Sequence, residues 1–318
     1  MHIYLRVYGV ALKFETNSKQ VHAMFLKEFG SYASDRVDKI EANISVLEGD
    51  KFDFKVPEYA VRDSIVFPSA AMYVRKGKIF LLEEGKYFIV VDQTKYEVDA
   101  HTKPSSPIFE KVRFITKRAL IRLLENKGFV SIHGSAVSDD GGALLFTGVS
   151  GSGKTTSLLT LLERGYRMVS DDVILMNEEV LPFHLTSMIH KDTLKRFPSL
   201  ASGLAKNSRW VAEANGWWMN LSSLYPVQQG PTIPRTIFHT HVWNSVKSSC
   251  REIDPSKMLS NLMKNYMMEA NVIFKPTSEQ LKRVFLAYSK IVEEKPCYNL
   301  YVGRNPKRLF RTIKKTGK

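Results

Sequence analysis

The run Gly148-Val149-Ser150-Gly151-Ser152-Gly153-Lys154-Thr155 fits the pattern G-x-x-x-x-G-K-[ST] in full. It stands between an apolar segment, Ala143 to Thr147, and a stretch with helical spacing that begins near Lys154. Strand, glycine loop and helix in that order commit this part of the chain to an α/β architecture and mark a P-loop. The glycines let successive backbone N–H groups converge on phosphate oxygens, while the helix N-terminus adds its partial positive charge from below. Gly148, Ser150, Gly151, Ser152, Gly153, Lys154, Thr155 and Thr156 are therefore the candidate residues for a nucleoside triphosphate. Lys154 would reach the β- and γ-phosphates. The Thr155 hydroxyl would ligate Mg²⁺, a hard cation normally held by one or two protein oxygens together with phosphates and waters.

The surroundings of the loop extend the reading. After it, Leu158, Leu159, Leu161 and Leu162 give a helix an apolar face, Gly165 stops it, and Met168 to Ser170 reads as a strand, so the pattern is that of a βαβ unit. That strand delivers Asp171-Asp172 to the carboxyl edge of the sheet, where ligands bind in such folds. Two adjacent carboxylates beside phosphate and metal divide the work. The one next to a cation stays ionised and serves the metal; the one desolvated beside like charge has a raised pKa and can accept a hydroxyl proton. Before the loop, Phe129 to His133 reads as a short strand and Asp139-Asp140-Gly141-Gly142 as a turn. His133 alone would be a structural histidine.

Residues 1 to 104 read as a smaller, mostly-β α+β domain. Ile3 to Val7 and Val10 to Phe14 alternate, Lys76-Gly77 and Glu84-Gly85 separate three segments of a meander, and Gln20 to Phe29 has helical character. Residues 105 to 318 read as the P-loop domain. It opens with a helix capped by Ser106, with Pro107 in its first turn and Gly128 at its end. Pro182 to Pro234, with Trp210, Trp217 and Trp218, reads as loops and short helices forming a lid or acceptor platform. A strand over Thr236 to Trp243 and two helices follow, one opened by Asp254-Pro255. The other is opened by Thr277 and Gln280 and packs Leu281, Val284, Phe285, Tyr288, Ile291 and Val292.

Composition limits the alternatives. Forty-six Lys and Arg against 32 Asp and Glu give a formal net charge of +14, which favours an anionic partner. The stretch Arg304 to Lys318 carries seven of those cations and no acid, as a solvated helix end or a docking patch. Cys250 and Cys297 are too few for a disulfide scaffold or a zinc site. No apolar run is long enough for a membrane span, and the N-terminus lacks the pattern of a secretion signal, so the expectation is a cytoplasmic protein without a membrane partner.

Taken together, His133-Gly134, the loop Gly148 to Thr155, the helix ending Glu163-Arg164-Gly165-Tyr166-Arg167 and then Val169-Ser170-Asp171-Asp172 resemble the catalytic core of HPr kinase/phosphorylase, a bacterial protein-serine kinase. The order is the family's and the spacing is similar: Lys154 lies 21 positions after His133 and Asp172 lies 18 after Lys154 (154 − 133 and 172 − 154). The match covers about residues 129 to 176. It implies a fold like that of phosphoenolpyruvate carboxykinase, ATP and Mg²⁺ as cofactors, and a peptide or small protein bearing a serine as acceptor. It also implies that His133 orients and polarises the reacting groups, that Lys154 and Thr155 handle phosphates and metal, that Asp172 is the base and that Asp171 supports the metal.

Two features of the family have no clear counterpart. No glutamate stands in Thr193-Leu194-Lys195-Arg196-Phe197-Pro198, where the family's metal-binding glutamate is expected, and Arg235 is only a positional candidate for the arginine of the family's reverse reaction. The N-terminal segment does not match the family's regulatory domain. The chain therefore reads as a divergent kinase with its own acceptor. A related branch phosphorylates the C-terminal serine of lasso peptide precursors. Alternatives are a small-molecule hydroxyl kinase on the same scaffold and a nucleotide-binding regulatory protein with nucleic-acid affinity; the sequence carries no nucleic-acid module. Oligomerisation is left open.

Overall fold

The computed structural model describes residues 1–50, 57–58, 60–62, 70–104, 106–201, 203–204, 208–211, 215–270 and 273–317. The chain is a mixed α/β protein that forms two compact units, Met1–Lys127 with Ala270–Thr277, and Gly128–Glu269 with Ser278–Lys318.

The first unit is built on a twisted sheet of nine described strands. His2–Val7 and Val10–Thr16 form an antiparallel hairpin. Ala42–Glu48 and then Glu97–Thr102 add in parallel, and the meander Tyr87–Asp92, Lys78–Glu83 and Ala71–Arg75 continues the sheet antiparallel. Alternating apolar residues place Leu5, Leu12, Phe14, Ile44 and Val46 in the core. A helix over Lys19–Phe29, capped by the Ser18 hydroxyl, stacks Phe25 on Phe14 with ring centroids 3.7 Å apart. A second helix spans Ile108–Asn126, and its Arg113 makes a buried ion pair with Glu28 of the first helix at 2.9 Å. This helix starts one residue past the expected cap: Pro107 holds the N-cap position and Ser106 makes no capping bond.

The second unit carries an eight-stranded sheet in the order Val180–Leu181, Val173–Met176, Val130–Asp139, Gly142–Thr147, Pro234–Val242, Cys297–Val302, Ser249–Glu252, with Arg167–Ser170 also paired to Val130–Asp139. Gly142–Thr147, Pro234–Val242 and Cys297–Val302 are mutually parallel neighbours. Ala143, Leu144, Leu145 and Phe146 are all buried on both faces, as a central parallel strand requires. The helix Lys154–Leu162 buries Leu158, Leu159, Leu161 and Leu162 against Phe146, Phe238, Leu309 and Ile313, each leucine contributing on the order of 2 kcal/mol.

Several local expectations are corrected. The short strand ending at His133 continues to Asp139 as one ten-residue strand, its first half paired with Val173–Met176 and its second with Arg167–Ser170. That strand lies between the two strands of the expected βαβ unit. Gly142–Thr147 and Arg167–Ser170 run in the same direction, each antiparallel to the strand that separates them. The tryptophan-bearing segment after Pro182 has the expected short helices and, beyond the expectation, a sheet. Ser187–His190, Gly216–Met219 and Ser208–Val211 form a three-stranded antiparallel sheet, and Lys191–Arg196 is a short helix. In the helix Ser278–Glu294, Val284, Tyr288, Ile291 and Val292 are buried, whereas Phe285 is exposed. The basic stretch near the end is an amphipathic helix, Pro306–Thr316, which docks Leu309 and Ile313 into the core. No helix among the described residues is long and apolar enough to cross a membrane.

Candidate functional site

The parallel strands Gly142–Thr147, Pro234–Val242 and Cys297–Val302 end together, and at those carboxyl ends lies a cleft of about 290 Å³. Val242 and Val302 line it directly, and the strand on the other side of Pro234–Val242, Gly142–Thr147, runs into the glycine loop. His133, Ser150, Gly151, Gly153, Lys154, Thr155, Thr156, Asp171 and Asp172 all line this one cleft. Gly148 and Ser152 do not. They form the base of the loop, where the Ser152 hydroxyl pairs with that of Thr240 at 2.7 Å and Thr240 in turn donates to the Thr147 carbonyl at 3.0 Å.

Lys154 is the first residue of its helix, buried, and folded back on its own loop. Its Nζ donates to the carbonyls of Gly148 at 2.9 Å and Val149 at 3.0 Å. Burial pushes its pKa below the usual lysine value, against the pull of Asp171 and Asp172. Phosphate oxygens offered to the loop would meet an ammonium whose present partners are two neutral carbonyls.

The two aspartates have different surroundings. Asp171 is almost fully buried and accepts a hydrogen bond from the Ser135 hydroxyl; burial raises its pKa above the ordinary carboxylate value. Thr155 Oγ1 lies 3.5 Å from both of its carboxylate oxygens. Asp172 is partly open to the cleft, with its Oδ1 3.5 Å from His133 Nδ1. Its backbone is left-handed, φ 74°, a conformation in which aspartate and asparagine are the best tolerated residues after glycine. Such strain gathers at functional sites. Its carbonyl accepts from the Gly134 N–H at 3.2 Å, fixing the corner beside His133. Gly134 itself is required by close approach, since a Cβ there would stand 2.5 Å from the Phe146 carbonyl oxygen.

The donors present fit a hard divalent cation. Thr155 and Asp171 supply oxygens side by side. A cation held by these oxygens would complete its shell with phosphates and waters, the usual arrangement for Mg²⁺.

Arg235 is not part of this constellation. It forms a bidentate ion pair with Asp139, 2.9 and 3.2 Å, at the start of the strand whose other end, Val242, reaches the cleft. Seven residue-to-residue steps along the strand (242 − 235) separate Arg235 from Val242, about 23 Å at roughly 3.3 Å per step. Conversely, the cleft has a wall that local sequence pattern does not reveal: Met188, His190, Asp192, Thr193, Arg196 and Trp218. Met188 and Trp218 are direct cross-strand partners in the three-stranded sheet, so they share a face.

One further histidine borders the loop. His239 pairs in register with Thr147, is 8% exposed, and its buried Nδ1 has no hydrogen-bond partner among the described residues. Burial, with smaller effects of His241 and Lys154, lowers its pKa to about 4. It is therefore neutral at working pH and adds no charge beside Lys154. Because the folded pKa lies below the unfolded one, this group's contribution to stability is intact above about pH 6.5 and is lost as the pH falls toward about 4. Denaturant titrations at pH 7.5 and 5.0 should show the wild type losing about 2 kcal/mol more than His239→Gln; equal losses would refute the assignment.

No family model matches the chain. Curated relatives do. The chain is HPr kinase-like over about a quarter of its length. It is 36% identical over 85 residues to HPr kinase/phosphorylase 1 of Oceanobacillus iheyensis, a stretch covering 26% of this chain and 27% of that protein. It is 33% identical over 86 residues to the HPr kinase/phosphorylases of Geobacillus thermodenitrificans and Geobacillus kaustophilus, covering 26% of this chain and 28% of each. The matched stretch thus spans little more than a quarter of the length of these relatives.

Proposed function

We propose that this chain is an ATP- and Mg²⁺-dependent P-loop kinase that transfers the γ-phosphate to a serine hydroxyl of a peptide or small protein. The C-terminal serine of a lasso peptide precursor is the most specific form of that reading. The observation that carries the proposal is the convergence of His133, Lys154, Thr155, Asp171 and Asp172 on one cleft. The names of the curated relatives, HPr kinase/phosphorylase, support a kinase reading.

Each residue has a task that its surroundings favour. Lys154 exchanges its two loop carbonyls for phosphate oxygens, a stronger charge-assisted pairing. Thr155 and Asp171 would hold the cation, which would supply charge neutralisation to the phosphates. Asp172, open to the cleft, accepts the proton of the acceptor hydroxyl, and His133 holds that carboxylate in line from its Nδ1 side. The backbone corner at Asp172 fixes the base before the acceptor arrives, so catalysis is mostly positioning.

Incubation of the full chain with ATP, Mg²⁺ and serine-bearing peptides, lasso precursors among them, should add one phosphate to serine by mass spectrometry. Absence of transfer to every serine peptide, with phosphate appearing instead on a small metabolite, would replace the acceptor in this reading.

A further inference from the structure

The wall facing the glycine loop belongs to a separate piece of structure, the three-stranded sheet and the helix Lys191–Arg196. Its charges are unevenly committed. Asp192 pairs with Lys195 at 3.2 Å. Across the cleft, Lys154 is engaged by two carbonyls. Arg196 lines the same cleft as Asp172 with its side chain exposed and, among the described residues, without an ion pair or hydrogen bond. A guanidinium that lines a cleft without a partner is a built-in anion receptor, with five donors in a fixed fork that matches a carboxylate. Beside it, Met188 and Trp218 place an apolar shelf on one face of the sheet.

We propose that Arg196 is the specificity-determining residue of the acceptor subsite, binding a carboxylate carried by the acceptor. The inference rests on the kinase reading above and adds the chemical class of the acceptor. Arg196 and Asp172 line the same cleft, so a hydroxyl held at Asp172 and an anion held at Arg196 belong to one acceptor bound there. The Met188 and Trp218 shelf takes the uncharged part of that acceptor. The carboxylate has two sources, a chain terminus or an acidic side chain adjacent to the serine.

Three hexapeptides with alanine and glycine bodies separate the sources: one ending in serine as the free acid, its amide, and an amidated peptide with Glu directly before the serine. Binding to the full chain is measured by calorimetry with a non-hydrolysable ATP analogue and Mg²⁺ present. At least one carboxylate peptide should bind ten-fold or more tightly than the neutral amide. Arg196→Gln should erase that preference, Arg196→Lys should restore part of it, and affinity for the ATP analogue should stay within two-fold throughout. A preference below five-fold in the wild type, no binding of any peptide, or a preference unchanged in Arg196→Gln overturns the proposal. So does a ten-fold weakening of nucleotide binding in Arg196→Gln, which would place the guanidinium on the nucleotide phosphates. Failure of the wild type to bind the ATP analogue at all would instead sink the kinase reading, so the two failures are distinguishable.

Discussion

Replacing Asp172 by asparagine is expected to reduce phosphoryl transfer by about 10²- to 10⁴-fold, the usual worth of a positioned general base, while nucleotide affinity and melting temperature stay near wild type. The choice of asparagine follows from the backbone. At φ 74°, alanine would add roughly 1–2 kcal/mol of left-handed strain to the loss of the carboxylate, and the two effects could not be separated. Asparagine tolerates that conformation and keeps an oxygen 3.5 Å from His133 Nδ1, so only the proton acceptor is removed. Steady-state transfer, titration with a fluorescent ATP analogue and a thermal melt together decide the matter. Transfer at the wild-type rate would show that the proton goes elsewhere. Lost transfer together with lost nucleotide binding would move Asp172 to the nucleotide side of the site.

What the sequence reveals here depends on how local the information is. The glycine loop and Asp171-Asp172 are legible because their chemistry is contained in consecutive residues on either side of one helix. His133 is not, because a single histidine at a strand end has many structural explanations; its pairing with Asp172 arises only when Val130–Asp139 and Val173–Met176 are aligned in the sheet. The wall of Met188 and Trp218 is less legible still. It depends on the register of Ser187–His190 against Gly216–Met219, set by pairing between segments that are far apart in sequence. Arg235 shows the opposite difficulty. Its neighbourhood in the sequence suggests the site, but the direction of Pro234–Val242 puts it at the other edge of the sheet, where Asp139 takes it. The interposed strand has the same origin, since helical and strand periodicities say nothing about which strand inserts between two others.

The loop itself offers the sharpest test, because two of its glycines face different surroundings. Gly148 has φ 142°, and a Cβ there would stand 2.7 Å from Ser152 Oγ and 3.0 Å from the Thr240 carbonyl oxygen. Gly151 has φ 75° and no atom within 4 Å of the same position. Gly148→Ala is therefore expected to push the base of the loop off the Pro234–Val242 strand and to weaken ATP binding by two orders of magnitude or more. Gly151→Ala should cost only the conformational strain, roughly 1–2 kcal/mol, about a ten-fold loss if all of it falls on the bound state. Adding Ser152→Ala to Gly148→Ala removes the nearer clash but not the one with Thr240, whose oxygen is backbone fixed in the parallel sheet, so affinity should recover only in part. Thermal melts run alongside separate a displaced loop from an unfolded chain. The reverse order, with Gly151→Ala the more damaging, would mean that phosphate contact at the exposed tip governs binding and that the pinned base of the loop does not.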